Sequence, residues 1–136
     1  MSYYIATTLD ERFETAISRA EEALKKEGFG IISRIDIQDA LKTKIGVEFR
    51  PYTILGACNP ALAHEALKLE DKVGTMLPCN VVVQARGEAT EVAAIDPVAS
   101  MQAVQNPRLQ QAAQEVRSRL QRVIHSLEEA TASVAG

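Results

Sequence analysis

Residues 79–95 read CNVVVQARGEATEVAAI, and this stretch decides the fold. Cys79 to Arg86 is rich in β-branched residues and has the composition of a strand. Gly87-Glu88 has the chemistry of a tight turn, and Ala89 to Ile95 returns as the hairpin partner. A two-residue turn joins only antiparallel strands, so the sheet built around this hairpin is expected to be mostly antiparallel.

Upstream, Tyr52 to Cys58 (YTILGAC) predicts another strand, with Tyr52, Ile54, Gly56 and Cys58 on one face and Thr53, Leu55 and Ala57 on the other. Asn59-Pro60 then opens a helix, Asn59 as N-cap and Pro60 at the first helical position, with an apolar stripe of Leu62, Ala66 and Leu69. That helix is expected to fray near Asp71 to Gly74. Ser2 to Thr7 and Ile31 to Ile37 supply two more strands. In the second, Ile31, Ser33, Ile35 and Ile37 are expected to share a face. Between these two strands, Thr8 and Glu11 form a capping-box pattern. Phe13, Ala16, Ile17, Ala20 and Leu24 follow at helical spacing. Gly28 and Phe29 form a Schellman stop, with Phe29 falling against Leu24. Gln38 to Lys44 predicts a short helix burying Leu41 and Ile45 and closed by Gly46.

Downstream, Asp96-Pro97 and Asn106-Pro107 repeat the cap-then-proline device. The first opens a short helix with Met101 and Val104 inward. The second opens a long helix whose buried stripe is Leu109, Ala113, Val116, Leu120, Val123 or Ile124, and Leu127. Two long helices need a face to cover. The expectation is therefore an α+β fold, with about five strands in a mostly antiparallel sheet and two long helices packed on one face. Residues 1–127 form one domain, and 128–136 a frayed tail.

Composition bounds the function. The chain has 136 residues, 46% hydrophobic and 24% charged, as expected for a single globular domain. A net charge of −3 and the absence of Trp argue against nucleic acid as a partner. Arg108, Arg117, Arg119 and Arg122 are the residues such a partner would use. No segment reads as a signal peptide or a membrane span, so a cytoplasmic location is expected, with Cys58 and Cys79 as free thiols. No phosphate-binding glycine loop, G-x-S-x-G or H-E-x-x-H occurs, and no cofactor is expected.

Chemistry concentrates at Cys58. A thiol one residue before a helix N-cap faces unpaired amides and the positive end of the helix dipole, which favour a thiolate. The plain alternative is a small buried hydrophobe. Cys79, in Pro78-Cys79-Asn80, has similar surroundings to Cys58-Asn59-Pro60. If their strands are neighbours, both thiols lie at one sheet edge. Two cysteines twenty-one residues apart without a C-x-x-C unit are a poor metal signature, and none is expected. His64 follows in the second turn, where a surface position competes with an imidazolium partner for Cys58. Arg50 can clamp an anion or pair with Glu48, and Tyr52 offers a hydroxyl. Arg50, Tyr52, Asn59 and Asn80 are thus candidates for binding a small ligand, with Cys58 and Cys79 as candidate thiols. Two readings stand: a non-enzymatic structural or ligand-binding protein, or a thiol-based redox protein.

Phe49-Arg50-Pro51-Tyr52, Ile54-Leu55-Gly56-Ala57-Cys58-Asn59-Pro60, Leu77-Pro78-Cys79-Asn80-Val81-Val82-Val83 and Ala94-Ile95-Asp96-Pro97 together resemble the family called domain of unknown function 302. The likeness spans about residues 3 to 127. It implies a curved antiparallel sheet backed by helices, of the TATA-binding-protein-like class, and a homodimer. It implies no activity.

Overall fold

Antiparallel pairing runs through the entire sheet of the computed structural model, which describes residues 2–135, with side chains as far as Glu128. The strands are β1 (Tyr4–Leu9), β2 (Gly30–Asp36), β3 (Tyr52–Cys58), β4 (Cys79–Arg86) and β5 (Ala89–Ile95), in the order β1-β5-β4-β3-β2. Every neighbouring pair is antiparallel. Arg86 pairs with Ala89 across the two-residue turn, where Gly87 takes φ 61°, as a primed hairpin turn requires.

Helices α1 (Phe13–Lys26) and α5 (Pro107–Ala135) cover one face. Alternation delivers Leu55, Val81, Val83, Val92 and Ala94 to that face, where they meet Ile17 and Leu24 of α1 and Leu120 and Val123 of α5. A second, smaller core lies beyond one end of the sheet. It gathers Ala66 of α3 (Pro60–Leu69), Val73, Met101 and, from the first half of α5, Leu109 and Ala113. The predicted stripe of α5 thus serves two cores in succession, with partly buried Val116 between them. The opposite sheet face carries no long helix. The register places a row of small and branched side chains across all five strands there: Ala6, Ala93, Val82, Ile54 and Ile35.

The caps explain where the helices begin and end. Asn59 Oδ1 accepts from the Leu62 amide at 3.1 Å, and Asp96 Oδ1 from Val98 at 3.0 Å to start α4 (Pro97–Ser100). Asn106 Oδ1 accepts from Arg108 at 3.0 Å. Asp96 is also held by Arg117 at 2.9 Å, which locks the start of α4 to α5. The Schellman stop of α1 forms as expected, with the Phe29 amide donating to Leu24 at 3.0 Å and that of Gly28 to Lys25 at 3.0 Å.

Four local expectations are corrected. The capping box does not form. Thr8 and Leu9 remain in the ladder opposite Glu91 and Thr90, so α1 starts at Phe13 after Arg12, which makes no side-chain cap. Glu11 instead pairs with Arg19 at 3.0 Å. In β2 the register shifts between Ile31 and Ser33, so Ile31 pairs with Ala57 while Ser33 pairs with Gly56. The bulged Ile32 thus moves Ile31 to the face opposite Ser33 and Ile35. In α2 (Ile37–Ile45), Ile45 is 67% exposed and no residue is fully buried, because the helix joins neither of the two cores. Asp71 to Met76 does not fray. It forms a 3-10 helix that inserts Val73 into the second core. The backbone of α5 continues through residues 128–135, and the side chains of 129–136 lie outside the described residues.

Gly28 is a tight joint between α1, α3 and α5. Its φ is +88°, and an added Cβ would lie 2.9 Å from Asn59 Nδ2 and 3.0 Å from Arg119 Nη1. Gly28→Ala should lose on the order of 1–3 kcal/mol of stability in urea denaturation. A variant as stable as the parent would show that this joint does not constrain the fold.

Candidate functional site

Cys58 is the last residue of β3 and Cys79 the first of β4. Ala57 pairs directly with Cys79, so the two cysteines sit at the same end of adjacent strands. Alternation puts Cys79 on the helix-covered face beside Ala57 and assigns Cys58 to the other. This keeps them out of the directly opposed position from which cross-strand pairs interact most closely. Both are free thiols.

Both nevertheless line one void, at the seam between the two cores. Phe29, Ala57 and Cys79 form its wall on the sheet side, and Ala66, Met101 and Leu109 its wall on the other. Cys58 and Asn59 enter where β3 turns into α3. The void measures about 40 Å³. That is enough for an ion or a ligand of a few atoms, and far below the several hundred Å³ typical of sites for larger organic ligands.

The electrostatics differ from the expected thiolate cradle. Pro60 has no amide hydrogen, and the Leu62 amide is taken by Asn59 Oδ1. Little of the first turn remains to receive an anion. His64 is exposed and is not part of the lining. Burial pushes the Cys79 thiol up to about 11, and the nearby Cys58 adds to this. Cys79 is 8% exposed, and among the described residues its thiol has no hydrogen-bond partner.

Arg50, Tyr52 and Asn80 are not brought to this void. Tyr52 is at the far end of β3, roughly 20 Å from Cys58 at about 3.4 Å per residue. Arg50 donates from Nε (2.9 Å) and Nη2 (2.8 Å) to Gln84 Oε1 on the open sheet face. Gln84 Nε2 donates to Glu91 Oε1 at 3.0 Å. The Arg50 guanidinium also lies 4.5 Å over the Phe49 ring. Glu48, its expected partner, is instead 3.7 Å from Lys42. Asn80 is exposed on the same open face, opposite Gly56. Gly56 is needed there for close approach. A Cβ would run into Ser33 Oγ and come within 2.8 Å of Pro78 Cγ. Three of the four arginines of α5 named above are also engaged: Arg117 with Asp96, Arg119 with Glu115 at 3.1 Å and Arg122 with Glu27 at 2.8 Å; Arg108 is exposed at the start of the helix. Met101 is the cavity residue whose role the sequence hid, because its inward position reads as ordinary core.

An open five-stranded antiparallel sheet, covered on one face by two long helices and extended by a second core, defines the class: a small α+β protein with a seam cavity. The chain belongs to the family described as Domain of unknown function DUF302, whose pattern matches residues 5–127. It is similar to an uncharacterized conserved DUF302 protein from Bacillus stearothermophilus, with 28% identity and a TM-score of 0.86 against the crystal structure. The likeness covers 92% of this chain and 98% of that one. No curated protein matches the chain. Among the described residues, no helix is long and apolar enough to cross a membrane.

The buried thiol has a measurable consequence. Its folded pKa lies above its ordinary value of 9.0, so between about pH 9 and about pH 11 the unfolded chain loses this proton while the folded chain keeps it. Stability associated with Cys79 is complete below pH 9 and is lost as pH rises through the folded value, by on the order of 2–3 kcal/mol. Cys79→Ala should flatten the decline in urea stability over that window relative to the parent. Identical slopes in the two proteins would mean that Cys79 titrates as a solvated thiol.

Proposed function

We propose that the protein is a non-catalytic cytoplasmic homodimer that binds a small ligand in the seam cavity between Cys58 and Cys79. The observation that carries this reading is the void itself, about 40 Å³ of unfilled space with two free thiols on a mostly apolar wall. Well-packed interiors close such gaps. The surroundings do not supply the base that a nucleophilic cysteine needs, since the one nearby histidine points to solvent. A thiol-redox role is the competing reading of the same pair. The placement of Cys58 and Cys79 on opposite faces argues against it, because a disulfide would have to twist the end of β3.

The ligand reading predicts access. Methyl methanethiosulfonate should label Cys79 in the folded protein, and Ala113→Leu, which adds side-chain volume to the wall and leaves both cysteines unchanged in sequence, should slow that labelling at least about tenfold. Labelling of Cys79 that tracks global unfolding, or that ignores Ala113→Leu, would overturn it.

The dimer reading draws on the apolar row of the open sheet face, where Val82 and Ile54 occupy the centre and Ile35 the exposed edge. Sedimentation equilibrium should give about twice the chain mass of 14.8 kDa, and Ile54→Asp should return it to a single chain. A parent protein sedimenting at 14.8 kDa at micromolar concentration would end this reading.

A further inference from the structure

The seam cavity also has a chemical selectivity, written in sulfur. The chain contains two cysteines and three methionines. Three of these five side chains, Cys58, Cys79 and Met101, line the same void of about 40 Å³. Met101 is 5% exposed and Cys79 is 8% exposed. Among the described residues the buried Cys79 thiol has no hydrogen-bond partner, so it is free to act as a donor to a ligand. The only other polar side chain on the wall is Asn59, whose Oδ1 is occupied by the Leu62 amide.

We propose that this cavity is a binding site for a soft monovalent cation, copper(I), held by the thiolates of Cys58 and Cys79 and the thioether of Met101. The inference rests on the reading of the void as a ligand site and gives that ligand a class. Donor softness makes the choice. Thiolate and thioether sulfur select copper(I), whereas calcium and magnesium require oxygen ligands that this wall does not offer. Structural zinc takes four nitrogen, sulfur or carboxylate ligands, and no group of three or more His, Cys, Asp and Glu is assembled among the described residues. Two thiolates and a thioether contributed by three separate segments also explain why the sequence lacks a C-x-x-C unit. The site is closed by the pairing of β3 with β4 and by the α4–α5 connection, not by local spacing.

Binding is a ligand exchange without redox change. Two S–H bonds break and two thiolate–copper bonds form. The Met101 sulfur donates a lone pair, two protons leave to solvent, and copper enters and stays as copper(I). The site then carries one net negative charge, set by the two thiolates and the single copper(I).

The test is an anaerobic titration of the full chain with copper(I) in competition with bicinchoninate. One copper(I) per chain should be withdrawn from the chelator, and X-ray absorption at the copper edge should show a shell of sulfur only. Cys58→Ser and Cys79→Ser should each weaken binding by about a hundredfold or more, and Met101→Leu, which keeps the side-chain volume, by about tenfold. Ala113→Leu should block uptake while leaving all three sulfurs in place. It keeps the test decisive if either serine variant fails to fold. No copper retained against bicinchoninate, nitrogen or oxygen in the first shell, or unchanged affinity in Ala113→Leu would each overturn the proposal. If copper is not retained but Cys79 labelling still depends on Ala113→Leu, the cation falls and the ligand cavity stands. If that labelling is also indifferent to Ala113→Leu, both fall together.

Discussion

The pairing of β3 with β4 is the constraint on which the rest of the structure depends. It is the long-range ladder that joins the hairpin β4–β5 to the β2–β3 half of the sheet. It runs from Tyr52 opposite Gln84 to Ala57 opposite Cys79, and so sets both ends at once. At one end Gln84 comes under Arg50. At the other, Cys58-Asn59 and Pro78-Cys79 meet beside the second core. A slip of one residue would exchange the faces of every side chain on β3, removing Leu55 and Ala57 from the core. Burial of those residues against α1 and α5 is what holds the register, and the register in turn fixes where the thiols stand.

The parts of this fold that were legible in the sequence are those specified by local chemistry. Gly87 in its turn, Asn59-Pro60, Asp96-Pro97, Asn106-Pro107 and the Gly28-Phe29 stop all act within a few residues, and all form. The stripe of α5 was equally plain, because a 3.6-residue period is a local property. The failures share one cause: a distant partner outbids a local preference. Thr8 is a good cap, but Glu91 offers it a strand. Ile32 has no mark of a bulge, yet the ladder to β3 must reconcile Ile31 against Ala57 with Ser33 against Gly56. Ile45 has the spacing of a core residue, but its helix joins neither core.

The candidate site was half legible for the same reason. That Cys58 and Cys79 could share an edge followed from two strands of compatible polarity, and the register puts them there. Grouping Arg50 and Tyr52 with them came from adjacency in sequence, and a strand is a poor place for that argument. The seven residues of β3 carry the chain from one end of the sheet to the other, so neighbours in sequence end at opposite ends. Asn59 also changes meaning in three dimensions. Its side chain caps α3, faces Gly28 at the end of α1 and borders the void, so one residue links the stop of the first helix to the start of the third.

The seam gives these links a common purpose. The first core is closed by α1 and the second half of α5, and the second core by α3, the 3-10 turn and the first half of α5. A 29-residue helix running through both forces the two cores to share one rigid element. Asp96, clamped by Arg117, then fixes where α4 leaves the sheet and hence where Met101 meets α5. With both walls anchored in this way, neither can relax into the gap between them. A cavity left between two fixed walls persists even though hydrophobic packing would close it, and its lining becomes a property that sequence can tune. In this chain the lining is mostly carbon and sulfur, with Asn59 the one amide among the described lining side chains, so the space suits only a small group that tolerates few hydrogen bonds. That requirement excludes most metabolites before any residue-specific recognition is considered, and it leaves the sulfurs as the groups able to provide selectivity.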